Sequence, residues 1–387
     1  MCRQLGNILI SKEGVILRYL LVFIVLLSIG SLPIRADNQV IGVDCPNSSG
    51  CFNMIREAIN SAFSGNTIKL GAGTYYEKSI LISKSLSLIG TGTDNTHIKI
   101  VDSGPGISIV SPNEIAVNIS DLEILMPHIW DVADQTTKSI GIFFGQPESA
   151  RQYKQTVKTE KIRIKSNLGI YIDIGNGAFN GKKIEINGAS GGITLVPKGS
   201  VEIDLEDSEI LGPSASNLPG LSDLSMLPGI GIWVAALAPS SGQLRLSIIE
   251  TKIKYWLSGL TLSSAQDFGF PKLQARLINN LISFNRGTGM TLIGDGDILM
   301  TENFITANEF GLQLYMAPCF PSPAPAVNFR GKISGSKNRI QNNTKEDVCP
   351  RDYPFPNDFF AQSTMTTSNR AINALFNSNR VANGNPQ

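Results

Sequence analysis

The sequence predicts an all-β solenoid in which short parallel strands coil into stacked rungs, and three observations carry that expectation. A phrase of glycine, apolar, any residue, apolar recurs as Gly141-Ile142-Phe143-Phe144, Gly169-Ile170-Tyr171-Ile172, Gly192-Ile193-Thr194-Leu195, Gly231-Ile232-Trp233-Val234, Gly259-Leu260-Thr261-Leu262, Gly289-Met290-Thr291-Leu292 and Gly311-Leu312-Gln313-Leu314. Its glycines lie 28, 23, 39, 28, 30 and 22 residues apart, within the range in which stacked supersecondary units build solenoids. From Thr67 the apolar residues also alternate at period two, as Ile68 and Leu70, Ile80 and Ile82, Leu86 and Leu88, and Ile98 and Ile100, with glycine-rich turns between. No helical pattern separates these runs, which excludes a doubly wound α/β sheet with its helical crossovers.

In chain order, Arg3, Lys12 and Arg18 accompany an apolar run from Tyr19 to Ile29, and Ser31-Leu32-Pro33-Ile34-Arg35-Ala36 follows. This reads as a secretory signal peptide over residues 1–36, with cleavage after Ala36. The competing reading is an uncleaved anchor, but the apolar stretch from Leu17 to Leu32 falls short of the ~20 residues that span a bilayer comfortably. No later segment is apolar enough to cross. Without residues 1–36 the formal charge falls to −2, so no electrostatic footprint for nucleic acid or an anionic membrane surface is expected.

Residues 37–66 form the expected N-terminal cap. Phe52, Ile55, Ile59, Ala62 and Phe63 share one helical face, with Gly65 placed to end the helix; such a helix covers the exposed end of a stack. The coil itself is expected over residues 67–349. Cys45, Cys51, Cys319 and Cys349 lie two at each end of it, and four cysteines allow three pairings. Local pairing is the arrangement that does not require the ends of a solenoid to meet, so these read as staples at the two caps, in an oxidising compartment. The secreted, periplasmic or cell-surface space is the expected location.

Asn279, Asn280, Asn285, Asn303 and Asn308 fall at expected corners, where an amide bonds its own backbone and tolerates positive φ; repeated asparagine there is read as a structural ladder. Three interruptions, Pro127 to Ser139, Gln146 to Glu160 and Gly212 to Gly229, are expected as side loops. Residues 350–387 form a C-terminal segment whose proline- and aromatic-rich start packs over the last coil, with an Asn/Ser-rich tail expected to be disordered.

Ile55 through Gly90, with Gly73-Thr74-Tyr75, Lys84-Ser85-Leu86 and Leu88-Ile89-Gly90, resembles the entry module of right-handed parallel β-helix proteins of the pectin-lyase-like superfamily. The later coils resemble its exported members with accessory and carbohydrate-binding β-helix domains. The resemblance implies a right-handed parallel β-helix and points to polysaccharides; it says little about activity.

On one face of such a helix the middle positions of the phrase form an outward file: Phe143, Tyr171, Thr194, Trp233, Thr261, Thr291, Gln313, with Asp173 two positions beyond Tyr171. Outward aromatics in file make a stacking platform for the apolar faces of sugar rings, so Phe143, Tyr171, Trp233 and Asp173 are the candidate ligand-binding residues. Hydrolases of the superfamily, as the resemblance implies, use clustered aspartates and a histidine, and glycoside cleavage needs two carboxyls across one bond. This chain has two histidines, His97 and His128, neither in a Gly-His-Gly phrase. Arg163-Ile164-Lys165 matches a hydrolase tripeptide but fits equally an ordinary strand with Ile162 and Ile164 inward. Lyases of the superfamily hold calcium with carboxylates; Asp295, Asp297 and Asp267 form the best acidic group, which a plain turn explains without metal. Copper lacks a soft ligand cluster, and phosphate-loop, nucleophile-elbow and zinc motifs are absent. The expectation is therefore an exported β-helix, without cofactor or metal, binding an extended polysaccharide or surface polymer without modifying it. The alternatives are a lyase, hydrolase or epimerase with a divergent site at Asp173 or Asp295/Asp297, and a structural spacer.

Overall fold

Isoleucine fills one interior position rung after rung: Ile98, Ile124, Ile164, Ile186, Ile210, Ile253, Ile282, Ile305 and Ile340 lie opposite one another on successive parallel strands, and all are buried. A β-branched side chain with few rotamers stacks on its own kind with little entropy to lose, which makes this column the spine of the fold. The computed structural model describes residues 40–43, 51–127, 139–213, 229–235, 242–264, 272–319 and 328–361. The expected signal segment, Cys45, His128, Asp267 and the tail beyond Ala361 lie outside those residues, as do most of the first and third interruptions.

Each rung has three faces. In one repeat they are the strands Lys272–Ile278, Leu281–Ser283 and Thr288–Gly294. The next repeat, Gly296–Thr301, Phe304–Thr306 and Phe310–Leu314, pairs with them in parallel in matching register. The long strands Gln155–Asp173 and Asn176–Leu195 run through all three faces, with one irregularity between Ser166 and Leu168. The second expected interruption is thus shorter than the sequence indicates. Gln155 to Glu160 already pair with neighbouring strands on both sides, and only a short loop with a 3-10 turn, Glu148–Ala150, precedes them. Buried Gln146 anchors that loop, its amide donating to the carbonyls of Ala150 and Tyr153, both at 2.7 Å.

Between the first and second faces the chain turns on single left-handed residues: Asp121, Lys161, Lys183, Asp207, Glu250, Asn279, Glu302 and Lys337, with φ between 48 and 58°. Asp121, Asp207 and Asn279 belong to residue types that visit this region; the lysines and glutamates do not. The following residue offsets the cost. Asn280, Asn303 and Asn338 are buried and bond one another up the stack: the side-chain oxygens of Asn303 and Asn338 each accept from the backbone N–H and the amide of the asparagine one rung before. Asn285, Asn308 and Asn343 form a second ladder at the next corner, closed by the Asp347 carboxylate. The asparagines thus form the ladders expected of them.

Trp256 stands where the second ladder needs an asparagine one rung earlier. It is wholly buried, its indole N–H donates to the Ile210 carbonyl at 3.0 Å, and its backbone N–H donates to Asn285 Oδ1. A Cβ added at Gly188, Gly212, Gly229 or Gly231 would come within 2.7 to 3.0 Å of its ring, so these glycines make the room the indole occupies.

The N-terminal helix α1 is Ile55–Ser61, shorter than the apolar face suggests. Ile55, Ile59 and Ala62 are buried as expected, whereas Phe63 is 69% exposed. Coil side chains clamp both ends: buried Glu77 accepts from the Ile55 N–H at 2.6 Å, and the Lys84 ammonium donates to the carbonyls of Ile59 and Ala62. A cation on the terminal carbonyls stops the helix before Gly65 is reached. At the other end Cys319 and Cys349 form a disulfide with Cα atoms 5.8 Å apart. Tyr353, Phe355 and Phe359 then pack over the last coil, as expected of this segment.

Candidate functional site

The register places the expected file on the third face. Phe143 lies opposite Tyr171, Tyr171 opposite Thr194, Thr194 opposite Trp233, and Trp233 opposite Thr261, followed by Thr291 and Gln313. Flanking residues point inward, with Ile232 and Val234 buried beside half-exposed Trp233. The rings of Phe143 and Tyr171 stack with centroids 5.8 Å apart and planes 17° from parallel.

The file is less open than the sequence suggests. Thr261, Thr291 and Gln313 are buried; Thr261 and Gln313 are held against their own face, where Thr261 Oγ1 meets Ser258 Oγ at 3.0 Å and Thr288 Oγ1 donates to Gln313 Oε1 at 2.8 Å. What remains accessible is an aromatic segment of Phe143, Tyr171 and, across Thr194, Trp233. Asp173 borders it, paired with the Lys198 ammonium at 2.6 Å. Burial, and next the Asp173 charge, push the Tyr171 phenol up from its ordinary pKa, so it remains a hydrogen-bond donor throughout the neutral range.

A second cluster, on the second face, unites residues that sequence reasoning kept apart. His97, Glu123, Arg163 and Glu185 occupy equivalent positions on successive rungs. His97 Nδ1 lies 2.6 Å from Glu123 Oε2, Lys165 Nζ is 3.0 Å from Glu123 Oε1, and Arg163 reaches Glu185 and Asp94, both at 2.8 Å. Hydrogen bonds that Arg163 donates to Glu185 and Asp94 raise its pKa further still. The entry coils stack on the same face as the main repeats, which brings His97 beside residues of the later strands. Ile162 and Ile164 do point inward, and it is this that sends Arg163 and Lys165 out beside the histidine. The signal was a charged residue alternating with isoleucine on four consecutive strands, legible only once their register is known.

Of the remaining acidic candidates Asp295 sits at the turn, whereas Asp297 already belongs to the strand that follows, paired in register with Gln274 and Lys332. Asp295 pairs with Arg330 at 2.9 Å and Asp297 with Lys272 at 3.2 Å, beside left-handed Gly294 at φ 73°. Among the described residues no three His, Cys, Asp or Glu side chains converge as a metal site would require.

No family model and no curated protein matches the chain. Solved structures similar to it include the A-module of the mannuronan C-5 epimerase AlgE4 of Azotobacter vinelandii, at 17% identity and TM-score 0.45 over 76% of this chain and 75% of that one. The pectin methylesterase of Erwinia chrysanthemi follows at 11% and 0.44, over 80% and 92%, and the catalytic domain of a GH87 alpha-1,3-glucanase at 12% and 0.40, over 82% and 68%. The fold is a right-handed parallel β-helix. Likeness at this level does not extend to chemistry, so what this β-helix does has to be argued from its own two side-chain clusters.

Proposed function

We propose that this β-helix binds an extended polysaccharide along its third face without modifying it, through Phe143, Tyr171 and Trp233. The observation that carries the reading is the parallel stack of Phe143 on Tyr171, in register with Trp233. Parallel strands repeat every ~4.8 Å, so a polymer lying along the helix axis meets an equivalent side chain at each rung, and aromatic faces suit the apolar faces of sugar rings. Asp173, held by Lys198, and the protonated Tyr171 phenol supply polar contacts for hydroxyl groups at the rim. A disulfide between Cys319 and Cys349 fits an oxidising compartment, in keeping with export to the periplasm, the cell surface or the medium.

Affinity electrophoresis through gels of neutral and acidic polysaccharides tests this. Retention by at least one polymer should weaken about 2- to 10-fold per ring when Trp233 or Tyr171 becomes alanine, the worth of one aromatic contact. Retention indifferent to both substitutions removes the platform. A second reading, a divergent polysaccharide lyase, hydrolase or epimerase, is favoured by one observation: the 2.6 Å contact of His97 with nearly buried Glu123, a pairing suited to moving a proton. New reducing or unsaturated ends, abolished by Glu123→Gln, would establish it in place of the binder. Neither binding nor turnover leaves the spacer role.

A further inference from the structure

The C-terminal end of the coil holds a cleft of about 890 Å³ between the first corner and the segment that crosses the last rung. That segment extends the stack: Lys337, Asn338 and Ala361 donate backbone hydrogen bonds to Asp358, Phe359 and Asn338, and Asn338 bridges to Phe360 in parallel. Phe304 and Phe360 supply the apolar surface, and Arg339, directly opposite Phe304 on the next rung, belongs to the same wall. Phe360 is 41% exposed yet fixed in orientation, edge-on to Phe359 at 5.0 Å and to Phe355 at 5.3 Å.

The polar groups of this cleft are of a distinctive kind. Glu302 and Lys337 neutralise each other at 3.2 Å. Among the described residues, the side chains of Asn279, Arg339, Asn357 and Asp358 are exposed and engage no hydrogen bond or ion pair. One cation, one anion and two carboxamides thus offer donors and acceptors together, around two aromatic rings, with no net charge. An anionic or cationic ligand would meet a like charge as often as an opposite one. Vicinal hydroxyl groups, each both donor and acceptor, match the set, and the apolar face of a sugar ring matches Phe304 and Phe360. The volume lies in the range of ligand clefts, and a ring already held by its neighbours costs little further entropy on binding.

We infer that this cleft is a binding site for a neutral glycan segment, separate from the aromatic file on the third face and sharing no residue with it. The test titrates the full-length protein with cellotetraose, mannotetraose, laminaritetraose and tetragalacturonate, followed by ligand-observed NMR. At least one neutral tetrasaccharide should bind, with Kd rising about 10-fold or more in Arg339→Ala, where hydrogen bonds to a charged group are lost. Phe360→Ala should raise Kd about 2- to 10-fold. Because Phe360 also packs on the end cap, Asp358→Asn serves as the second variant, predicted to weaken binding without touching that packing. Arg339→Ala and Asp358→Asn are also made in a Trp233→Ala background, where the file is already removed and the same losses are expected, so the cleft and the file stand or fall separately. The inference is overturned if no neutral tetrasaccharide binds at millimolar concentration, if Arg339→Ala and Asp358→Asn both bind as well as the parent, or if tetragalacturonate binds more tightly than every neutral sugar.

Discussion

Asn303→Ala removes the central link of the first ladder, and the structure allows the loss to be worked out group by group. The Asn303 side chain accepts from the Asn280 backbone N–H at 3.1 Å and from the Asn280 amide at 2.9 Å; it donates to the Leu277 carbonyl at 2.8 Å and to Asn338 Oδ1 at 2.9 Å. Asn338 Oδ1 keeps the Asn303 backbone N–H, and the Asn280 amide keeps the Ile248 carbonyl. The groups left stranded are therefore the Asn280 N–H, one amide hydrogen of the same residue, and the Leu277 carbonyl, all buried. At about 1–3 kcal/mol for each unsatisfied group, and allowing one water to enter the space, the expected destabilisation is about 3–6 kcal/mol. Urea unfolding monitored by tryptophan emission measures it, since Trp256 is sealed inside the neighbouring ladder. Hydrogen exchange should show the Asn280 amide as the site that loses most protection. A change below about 1 kcal/mol, within the worth of a single ordinary hydrogen bond, with that amide still protected, would refute the claim that the ladder holds these rungs together.

Two further outcomes follow from features of the C-terminal end and the first face. Replacing Cys319 and Cys349 with serine opens a loop spanning 30 residues, which should cost about 3–4 kcal/mol in denaturant unfolding; an unchanged midpoint would show that the aromatic cap alone holds the last coil. Burial, and secondarily Glu202, hold the Asp204 pKa above its ordinary value, against the pull of Arg276. Its contribution is most favourable below the unfolded carboxylate pKa and is lost as pH rises through the folded one, so Asp204→Asn should be the more stable protein at pH 7, with the difference vanishing near pH 3. Thermal melts at the two pH values decide, and a variant less stable at pH 7 would contradict the sign.

The path of the chain was legible because its signals are periodic. The glycine phrase and the alternation at Ile68, Leu70, Ile80 and Ile82 report local geometry, and local geometry repeated many times leaves few folds open. Asn280, Asn303, Asn285 and Asn308 were readable for the same reason, since a corner asks the same question on every rung. What escaped depends on register, which no single strand reveals. His97, Glu123, Arg163 and Glu185 come from four separate strands, and their meeting on one face follows only after each has been aligned with the next. The short reach of α1 escaped too, because Lys84, more than 20 residues downstream, supplies the cation that ends it. Burial of Thr261 and Gln313 required knowing that their hydroxyl and amide groups are recruited by Ser258 and Thr288.

The matched register of successive repeats makes the molecule divisible in a way most domains are not. If the stretch from Leu273 to Asp295 were excised so that Lys272 ran directly into Gly296, Thr251 would find Asn303 where Asn280 had stood, and Trp256 would find Asn308 in the seat of Asn285. Both caps would be untouched, and the protein would simply be shorter by a storey. Length is thus a quantity this architecture can vary in whole steps, and any polymer that measures itself against the long side of the molecule would sense each one.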